Sequence, residues 1–165
     1  MQIPEITPEV MYALFEMWAA NGPRMPDAMR PPEVLEDFLV NDGGATRFYQ
    51  VEDQPSVVMV GSIQPGLNAQ VMLLNHEFAE LGALMRELRG IIDEFELRRL
   101  TAQVPGPVKD VQRQLEAIGF RKEGHLRRST LWNDRLVGMD LWGLYRDPAR
   151  DQRYKNARQE EAVSA

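Results

Sequence analysis

The sequence predicts a mixed α and β protein (α/β or α+β) with a largely antiparallel sheet, and three observations support that class. In several segments apolar residues recur at steps of three and four, as in amphipathic helices. Short runs rich in β-branched residues alternate with these segments. Three such runs follow one another through short turns, which predicts an antiparallel meander. The predicted order is α-α-β-β-β-α-β-α-β-β, with one βαβ crossover around the longest helix.

The N-terminal third is predicted to be helical. Thr7-Pro8 suits an N-cap followed by the first helical residue, and Glu9–Ala20 carries an apolar stripe. Asn21-Gly22-Pro23 ends this helix. Four prolines predict a loop over Pro23–Pro32, and a second helix is expected at Pro32–Val40.

The rest of the chain alternates between strand and helix periodicity. Asn133-Asp134 is a hairpin turn signal between the last two strands, and Gly119 is expected to end a helix in the left-handed conformation. We predict strands at Ala45–Val51, Ser56–Ile63, Ala69–Leu74, Arg98–Val104, Leu126–Trp132 and Leu136–Leu144, and helices over Glu77–Phe95 and Val108–Ile118.

Length and composition limit the kind of protein this is. The chain has 165 residues, 44% of them hydrophobic, and a formal charge of −6. These values predict one folded domain over residues 1–147 and a polar tail over residues 148–165. No apolar run reaches the length of a membrane helix and no signal region is visible, so a cytoplasmic protein without membrane contact is expected.

The residues needed for thiol and metal chemistry are scarce. The chain has no cysteine and only two histidines, His76 and His125, which excludes disulfides, thiol nucleophiles and cysteine-based zinc sites. No metal site is expected. The excess of acidic residues also argues against a nucleic-acid partner, because such binding depends on Lys and Arg.

The C-terminal half resembles a known family. Leu115–Arg127 (LEAIGFRKEGHLR) is similar to the LEKLGF-x-x-EG-x-x-R stretch of the GNAT acetyltransferase superfamily. Met139–Asp147 is similar to the ending of the branch that acetylates protein N-termini, including those of ribosomal proteins. This resemblance spans roughly residues 5–147, and it implies the GNAT acyl-CoA N-acyltransferase fold, a mostly antiparallel twisted sheet with helices on both faces.

The resemblance also implies a cofactor, acetyl-CoA, at the start of the long helix. There the family binds pyrophosphate on backbone N–H groups of a Q/R-x-x-G-x-G/A loop, because a helix N-terminus favours an anion. The pattern falls on Ala79–Leu84, with Gly82 as its inner glycine. The cofactor-binding residues implied in this way are Leu73, Leu74, Asn75, Gly82 and Ala83.

A proton acceptor for the substrate amine is expected at the junction between the third strand and the long helix. There Glu77 or His76 could relay a proton through water. The alternative is that the polar residues Asn75, His76 and Glu77 only cap the helix. Gly82 likewise has an alternative role as a close-packing position.

Several positions depart from the family pattern. Ala79 stands where Arg or Gln is expected, and Leu84 replaces a small residue. Glu77 and Glu80 add negative charge that would repel a pyrophosphate. On the following helix the family's Asn and Ser positions are apolar, and the position of its general acid Tyr is also apolar. These three positions are Val108, Val111 and Leu115.

Two further groups have more than one interpretation. The basic residues around His125 could meet the 3′-phosphate of CoA or an acidic partner, but a solvated charged face is the simpler explanation. Asp140 lies among apolar residues and is expected to be a buried hydrogen-bonding carboxylate.

Two functions follow from these observations. Because the cofactor loop departs from its pattern, the first hypothesis is a non-catalytic structural or interaction subunit of a larger assembly, for example a phage particle, with a protein partner or a second copy of the chain. Its location would then be the virion. The alternative is an acetyl-CoA-dependent N-acetyltransferase that acts on a peptide N-terminus or a small amine.

Overall fold

The computed structural model describes residues 1–3, 7–33, 37, 42, 45–52, 54–74, 80–146 and 163. The predicted helix at Pro32–Val40 and the predicted tail lie largely outside these residues. Two 3₁₀ turns, Gly22–Arg24 and Asp27–Met29, interrupt the loop predicted after the first helix. The helices are α1 (Pro8–Asn21), α2 (Leu81–Glu94) and α3 (Lys109–Ala117), and the strands are β1 (Arg47–Gln50), β2 (Val57–Gln64), β3 (Asn68–Leu74), β4 (Arg99–Pro105), β5 (Arg121–Trp132) and β6 (Arg135–Tyr145).

The six strands form one sheet in the order β1-β2-β3-β4-β6-β5. All neighbours are antiparallel except β3 and β4, which are parallel and joined through α2. A parallel pair needs such a crossover, because a short turn can join only antiparallel strands. The predicted mixed class, the meander and the single crossover are all confirmed.

Helices cover both faces of the sheet. On one face, called here the α1 face, Leu14 and Trp18 of α1 pack with Phe48, Val57 and Leu74. On the opposite face, called the α2/α3 face, the apolar stripes of α2 and α3 build the larger core. Its helical members are Ala83, Leu84, Leu88, Ile91, Ile92, Val111 and Leu115.

Local signals in the sequence set the ends of most elements. The Thr7 hydroxyl accepts a hydrogen bond from the N–H of Val10 at 3.4 Å, and Pro8 is the first residue of α1. Gly119 follows α3 with a φ of 101°, the left-handed geometry expected there. The turn residues Asn133 and Asp134 both have positive φ, 48° and 60°, as a tight hairpin requires.

Two predicted starting points are wrong. The helix α2 begins at Leu81 rather than Glu77, since Glu80 is already extended at φ −130° and ψ 100°. The strand β5 begins at Arg121, five residues before the predicted start at Leu126. Its first residues are charged and exposed, as is common on an edge strand, and they carry no apolar alternation that sequence analysis could detect.

Candidate functional site

The parallel strands β3 and β4 separate along their length. Their pairing covers only Asn68 to Gln70 opposite Arg99 to Thr101. Beyond these positions β3 continues to pair with β2 as far as Leu74, and β4 continues to pair with β6 as far as Pro105. Over the described length of both strands, the backbone groups that face each other past Gln70 therefore have no partner across the gap.

A cavity of about 210 Å³ occupies this gap. Residues from both faces of the sheet line it. Val71 and Leu73 belong to the core under α2 and α3, whereas Met72 packs on the α1 side. Because successive side chains of a strand point to opposite faces, the cavity passes from one face of the sheet to the other.

The wall on the α2/α3 face is apolar. Ala102 and Val104 of β4 line the cavity there, together with Val111 and Leu115 of α3. All four are buried in the core. Two of the three apolar positions that depart from the family pattern, Val111 and Leu115, thus form part of the cavity wall.

The wall on the α1 face combines methionines with a few polar groups. Thr101, Gln103 and Gln70 contribute polar side chains from the strands. The indole N–H of Trp18 donates a hydrogen bond to the Met29 carbonyl at 3.0 Å, which holds the turn after α1 against that helix. The methionines that line the cavity are Met25, Met29, Met59 and Met72.

The start of α2 follows the end of β3 in the chain, and Glu80 is the first described residue before it. No side chain caps the helix at Glu80, so its first N–H groups have no capping partner there. Gly82 is exposed, and a Cβ at this position would meet only Nη1 of Arg86, at 3.7 Å. Leu84 is completely buried in the core below, so its bulk lies away from solvent. Among the described residues, the helix N-terminus therefore combines N–H groups that no side chain caps with the cation of Arg86.

The paired end of the β3 and β4 strands is tied by a polar network. The Thr101 hydroxyl donates a hydrogen bond to Oδ1 of Asn68 at 2.8 Å, and Arg99 Nε donates to the same oxygen at 3.4 Å. Arg99 also pairs with Glu123 at 3.3 Å, and its guanidinium lies over the ring of Tyr145. This network closes the gap at one end.

An ion pair lies at the open end. Nε of Arg24, which lines the cavity, contacts Oδ2 of Asp110 at 2.8 Å. Asp110 is in the first turn of α3, on the opposite face from α1. The pair therefore connects the two faces past the C-terminal end of β4.

The turn after α1 also holds the β5–β6 hairpin. The carboxylate of Asp27 accepts hydrogen bonds from the N–H groups of Asn133 and Asp134, at 2.8 and 3.0 Å. The N–H of Asp134 is the main reason that the pKa of Asp27 lies below its ordinary value, and the N–H of Asn133 and the charge of Arg30 add to the effect. Trp132 donates to the Pro23 carbonyl at 2.7 Å.

His125 and Asp140 form a separate cluster on the hairpin. Asp140 is 1% exposed and contacts Nδ1 of His125 at 2.5 Å and Nζ of Lys122 at 3.0 Å. Burial alone would raise the pKa of Asp140, but the hydrogen bonds from His125 and Lys122 outweigh burial and lower it. The prediction of a buried, hydrogen-bonded Asp140 is confirmed. The imidazole occupies the space beside Gly138, where any Cβ would collide with it.

The residues predicted to bind a cofactor occupy several environments. Leu73 lines the cavity, Leu74 is buried in the core on the α1 face, and Ala83 is buried at the start of α2. Gly82 is exposed, and a Cβ there would make an ordinary contact with Nη1 of Arg86 at 3.7 Å, so its roles as a phosphate-loop glycine and as a close-packing position both stay predictions. The predicted proton relay and its neighbour lie outside the described residues. They are Asn75, His76 and Glu77.

Sequence analysis missed several residues of the site. The polar and apolar alternation of β3 could have placed Gln70 and Met72 on one face. The spacing of four residues between Gly82 and Arg86 could have placed that cation at the helix N-terminus. Asn21 lines the cavity, but in the sequence it is simply a residue that ends a helix.

Other kinds of site are absent from the part of the chain that the structure describes. No group of three or more His, Asp or Glu side chains there could hold a metal ion. Among the same residues, no helix has the length and apolarity that a membrane crossing requires.

Comparison with known proteins identifies the fold. No family model and no curated protein matches the chain. The spermidine N-acetyltransferase from Vibrio cholerae, solved with CoA and spermine, superposes with a TM-score of 0.70 at 16% identity, over 85% of this chain and 92% of that one. An acetyltransferase of the GNAT family from Bacillus anthracis gives 0.63 at 14% identity, over 83% and 89%. The ribosomal-protein-alanine N-acetyltransferase from Brucella melitensis gives 0.60 at 14%, over 86% and 97%.

These similarities establish that the chain has the GNAT acyltransferase fold. The fold predicted from the C-terminal motif is confirmed. At 14 to 16% identity the comparisons concern the fold alone, and the chemistry has to be argued from the site.

Proposed function

We propose that this protein is an acetyl-CoA-dependent N-acetyltransferase that acts on a peptide N-terminus or a small amine. The observation that carries the proposal is the gap between β3 and β4, which contains a cavity that extends across the sheet and is lined by residues from both of its faces. Such a passage allows two reactants to approach one point from opposite sides, which is what a transfer between two bound molecules requires.

The groups around the gap fit acetyl-CoA. The unpaired backbone groups of β3 past Gln70 would hydrogen-bond the amides and the acetyl carbonyl of an extended thioester chain, much as an added strand does. At α2, the N–H groups near Gly82 and the guanidinium of Arg86 would hold the pyrophosphate. Arg86 supplies a positive charge there, although Ala79 lacks the family's basic side chain.

The chain's own residues would bind, orient and accept a proton. Acetyl-CoA, when bound, supplies an acetyl thioester that a neutral amine can attack. The apolar wall formed by Val104, Val111 and Leu115 would keep water from this point. Glu77 or His76, which follow β3 in the sequence, would take the amine proton through water.

The competing hypothesis is a non-catalytic subunit of a larger assembly. Its main argument was the altered cofactor loop, in which Leu84 stood for a small residue. Because the Leu84 side chain is buried in the core, its bulk does not cover the helix N-terminus. The solved structures most relevant to the fold are acetyltransferases, and none of the three compared above favours a structural role.

Binding of acetyl-CoA is the first test. Isothermal titration calorimetry should give saturable binding, and millimolar acetyl-CoA should raise the melting temperature by mass action. Release of CoA, measured with a thiol reagent, should then require an added amine. An unchanged melting temperature together with no heat of binding would overturn the proposal.

Arg86 provides a matched pair of variants. Arg86→Gln should weaken acetyl-CoA binding about tenfold, roughly 1.4 kcal/mol, because one charge-assisted contact to pyrophosphate is lost. Arg113→Gln, an exposed arginine on α3, is the control and should leave the affinity unchanged. Equal affinities for all three proteins would refute the assignment of pyrophosphate to this helix end.

A further inference from the structure

The cavity wall on the α1 face has an unusual composition for a site that would accept an amine. Four methionines and Trp18 supply most of its apolar surface. Methionine is unbranched and polarizable, so it adapts to apolar groups of different shapes. The methionines are Met25, Met29, Met59 and Met72.

The charges around this wall do not suit a polycation. Among the described residues that line the cavity there is no carboxylate, and the charged side chain is Arg24. A second ammonium group on the acceptor would lose its hydration beside Arg24, whose carboxylate partner Asp110 is already engaged at 2.8 Å. Among the described lining residues it would find no further counter-charge, which makes its burial unfavourable.

Asn21 adds a specific hydrogen-bond acceptor. Asn21 is buried, with 3% of its surface exposed. Its Nδ2 donates a hydrogen bond to the Met17 carbonyl at 2.7 Å, which fixes the orientation of the amide. Oδ1 of the same amide is buried and has no hydrogen-bond partner. Buried acceptors of this kind are rare because they forfeit a hydrogen bond to water. Asn21 is one of the residues that line the cavity, so a bound donor that reaches Oδ1 would supply the missing partner.

Building on the proposed acetyltransferase function, we propose that the α1 side of the cavity selects a primary amine carried on an uncharged apolar group, and that Asn21 accepts a hydrogen bond from that amine. The methionines and Trp18 contact the apolar group. A polyamine is a poor acceptor for this chain. This differs from the Vibrio cholerae structure, whose complex contains spermine.

The test compares two probes of equal length, hexylamine and 1,6-diaminohexane, which differ by one ammonium group. The protein is labelled with ¹³C at its methionine methyl groups and titrated with each amine in the absence of acetyl-CoA. Hexylamine should shift the resonances of the four cavity methionines, assigned through single Met→Leu variants, and should bind at least about tenfold more tightly than the diamine. Equal or tighter binding of the diamine, or shifts confined to other methionines, would overturn the inference.

Two variants of Asn21 test the hydrogen bond. Asn21→Ala should raise the KM for hexylamine about tenfold while the affinity for acetyl-CoA stays the same. Asn21→Asp places a carboxylate in the wall and should shift the preference toward the diamine, which a purely structural role of Asn21 would not do. If Asn21→Asp leaves the preference between hexylamine and the diamine unchanged, that result would count against a hydrogen bond from the amine to Asn21.

The two proposals fail in different experiments. If acetyl-CoA does not bind, the acetyltransferase function is refuted, whereas the methionine resonances still report whether the cavity selects an apolar amine. If acetyl-CoA binds and amines are acetylated, but the diamine is preferred, only the selectivity is refuted.

Discussion

The two ends of the β3 and β4 pair are built in opposite ways. At the start of the strands, backbone pairing is reinforced by the bond from Thr101 to Asn68 and by the contacts of Arg99. At the other end the strands share no backbone hydrogen bonds, and the ion pair between Arg24 and Asp110 links the elements on either side. One end is a closed sheet and the other contains a cavity.

The difference shows how a sheet can leave part of itself unpaired. Each buried backbone group without a partner costs about 1–3 kcal/mol, so an open gap needs support from its surroundings. Here β3 keeps its pairing with β2, and β4 keeps its pairing with β6, along the whole gap. The free-energy cost of the unpaired backbone groups is therefore confined to the gap, where a ligand could supply the missing hydrogen bonds.

The largest effects are expected when one alanine at each end of the β3 and β4 pair is replaced by leucine. Ala102 lines the cavity, so Ala102→Leu should fill it and lower the rate of acetylation about 100-fold, roughly 2.7 kcal/mol, with little loss of stability. Ala69 is fully buried at the paired end, so Ala69→Leu should overpack the core and cost about 1–3 kcal/mol of unfolding free energy. Urea denaturation and amine-dependent CoA release measure both quantities. A stable and fully active Ala102→Leu variant would contradict the assignment of acetyl transfer to this cavity.

A smaller effect is expected at the closed end. Thr101→Val keeps the shape of the side chain but leaves Oδ1 of Asn68 with only the long contact to Arg99. The unfolding free energy should fall by about 1 kcal/mol. Combining it with Asn68→Ala in a double-mutant cycle should show coupling between the two residues, and strict additivity would mean that their bond adds nothing.

The contact between the α1 turn and the hairpin should depend on pH. Because the folded-state pKa of Asp27 is lowered, its contribution to stability is present above the ordinary pKa of the carboxyl and is lost as the pH falls through the folded pKa. Asp27→Asn should therefore be less stable than the wild type at pH 7, and the difference should shrink at pH 3. Thermal unfolding across this range checks the prediction, which a constant difference would contradict.

The smallest effect is expected from the ion pair at the open end. Both partners are partly exposed, so a double-mutant cycle of Arg24→Gln and Asp110→Asn should give a coupling of about 0.2–1 kcal/mol. This coupling should decrease in 1 M NaCl, because salt screens exposed charges. A coupling that is unaffected by salt would indicate contacts other than the ion pair.

Much of the fold could be predicted because its signals are local. The cap at Thr7, the positive φ at Gly119 and the turn at Asn133-Asp134 each involve a few consecutive residues. Elements other than β5 and α2 begin and end within about two residues of the prediction. The exception at β5 arose because its first residues are exposed and charged, so no apolar pattern marked them.

Less of the site could be predicted, because its parts meet only in three dimensions. Gly82 was identified through a family pattern, but the cation beside it, Arg86, was not. The proposed roles of His76 and Glu77 remain predictions. Nothing in the sequence marked Asn21 or the four methionines as one wall, since they come from a helix end, a turn and two strands.

By itself the sequence determined most of the described helices and strands, their order and the fold class, because periodicity, caps and turns act over a few residues. The tertiary structure alone decided that β3 and β4 separate past Gln70, that a cavity crosses the sheet there, and that Asn21, whose amide oxygen has no hydrogen-bond partner, is among the lining residues. Those features depend on how distant strands and helices pack against one another. Packing of that kind leaves no periodic signal in a single chain.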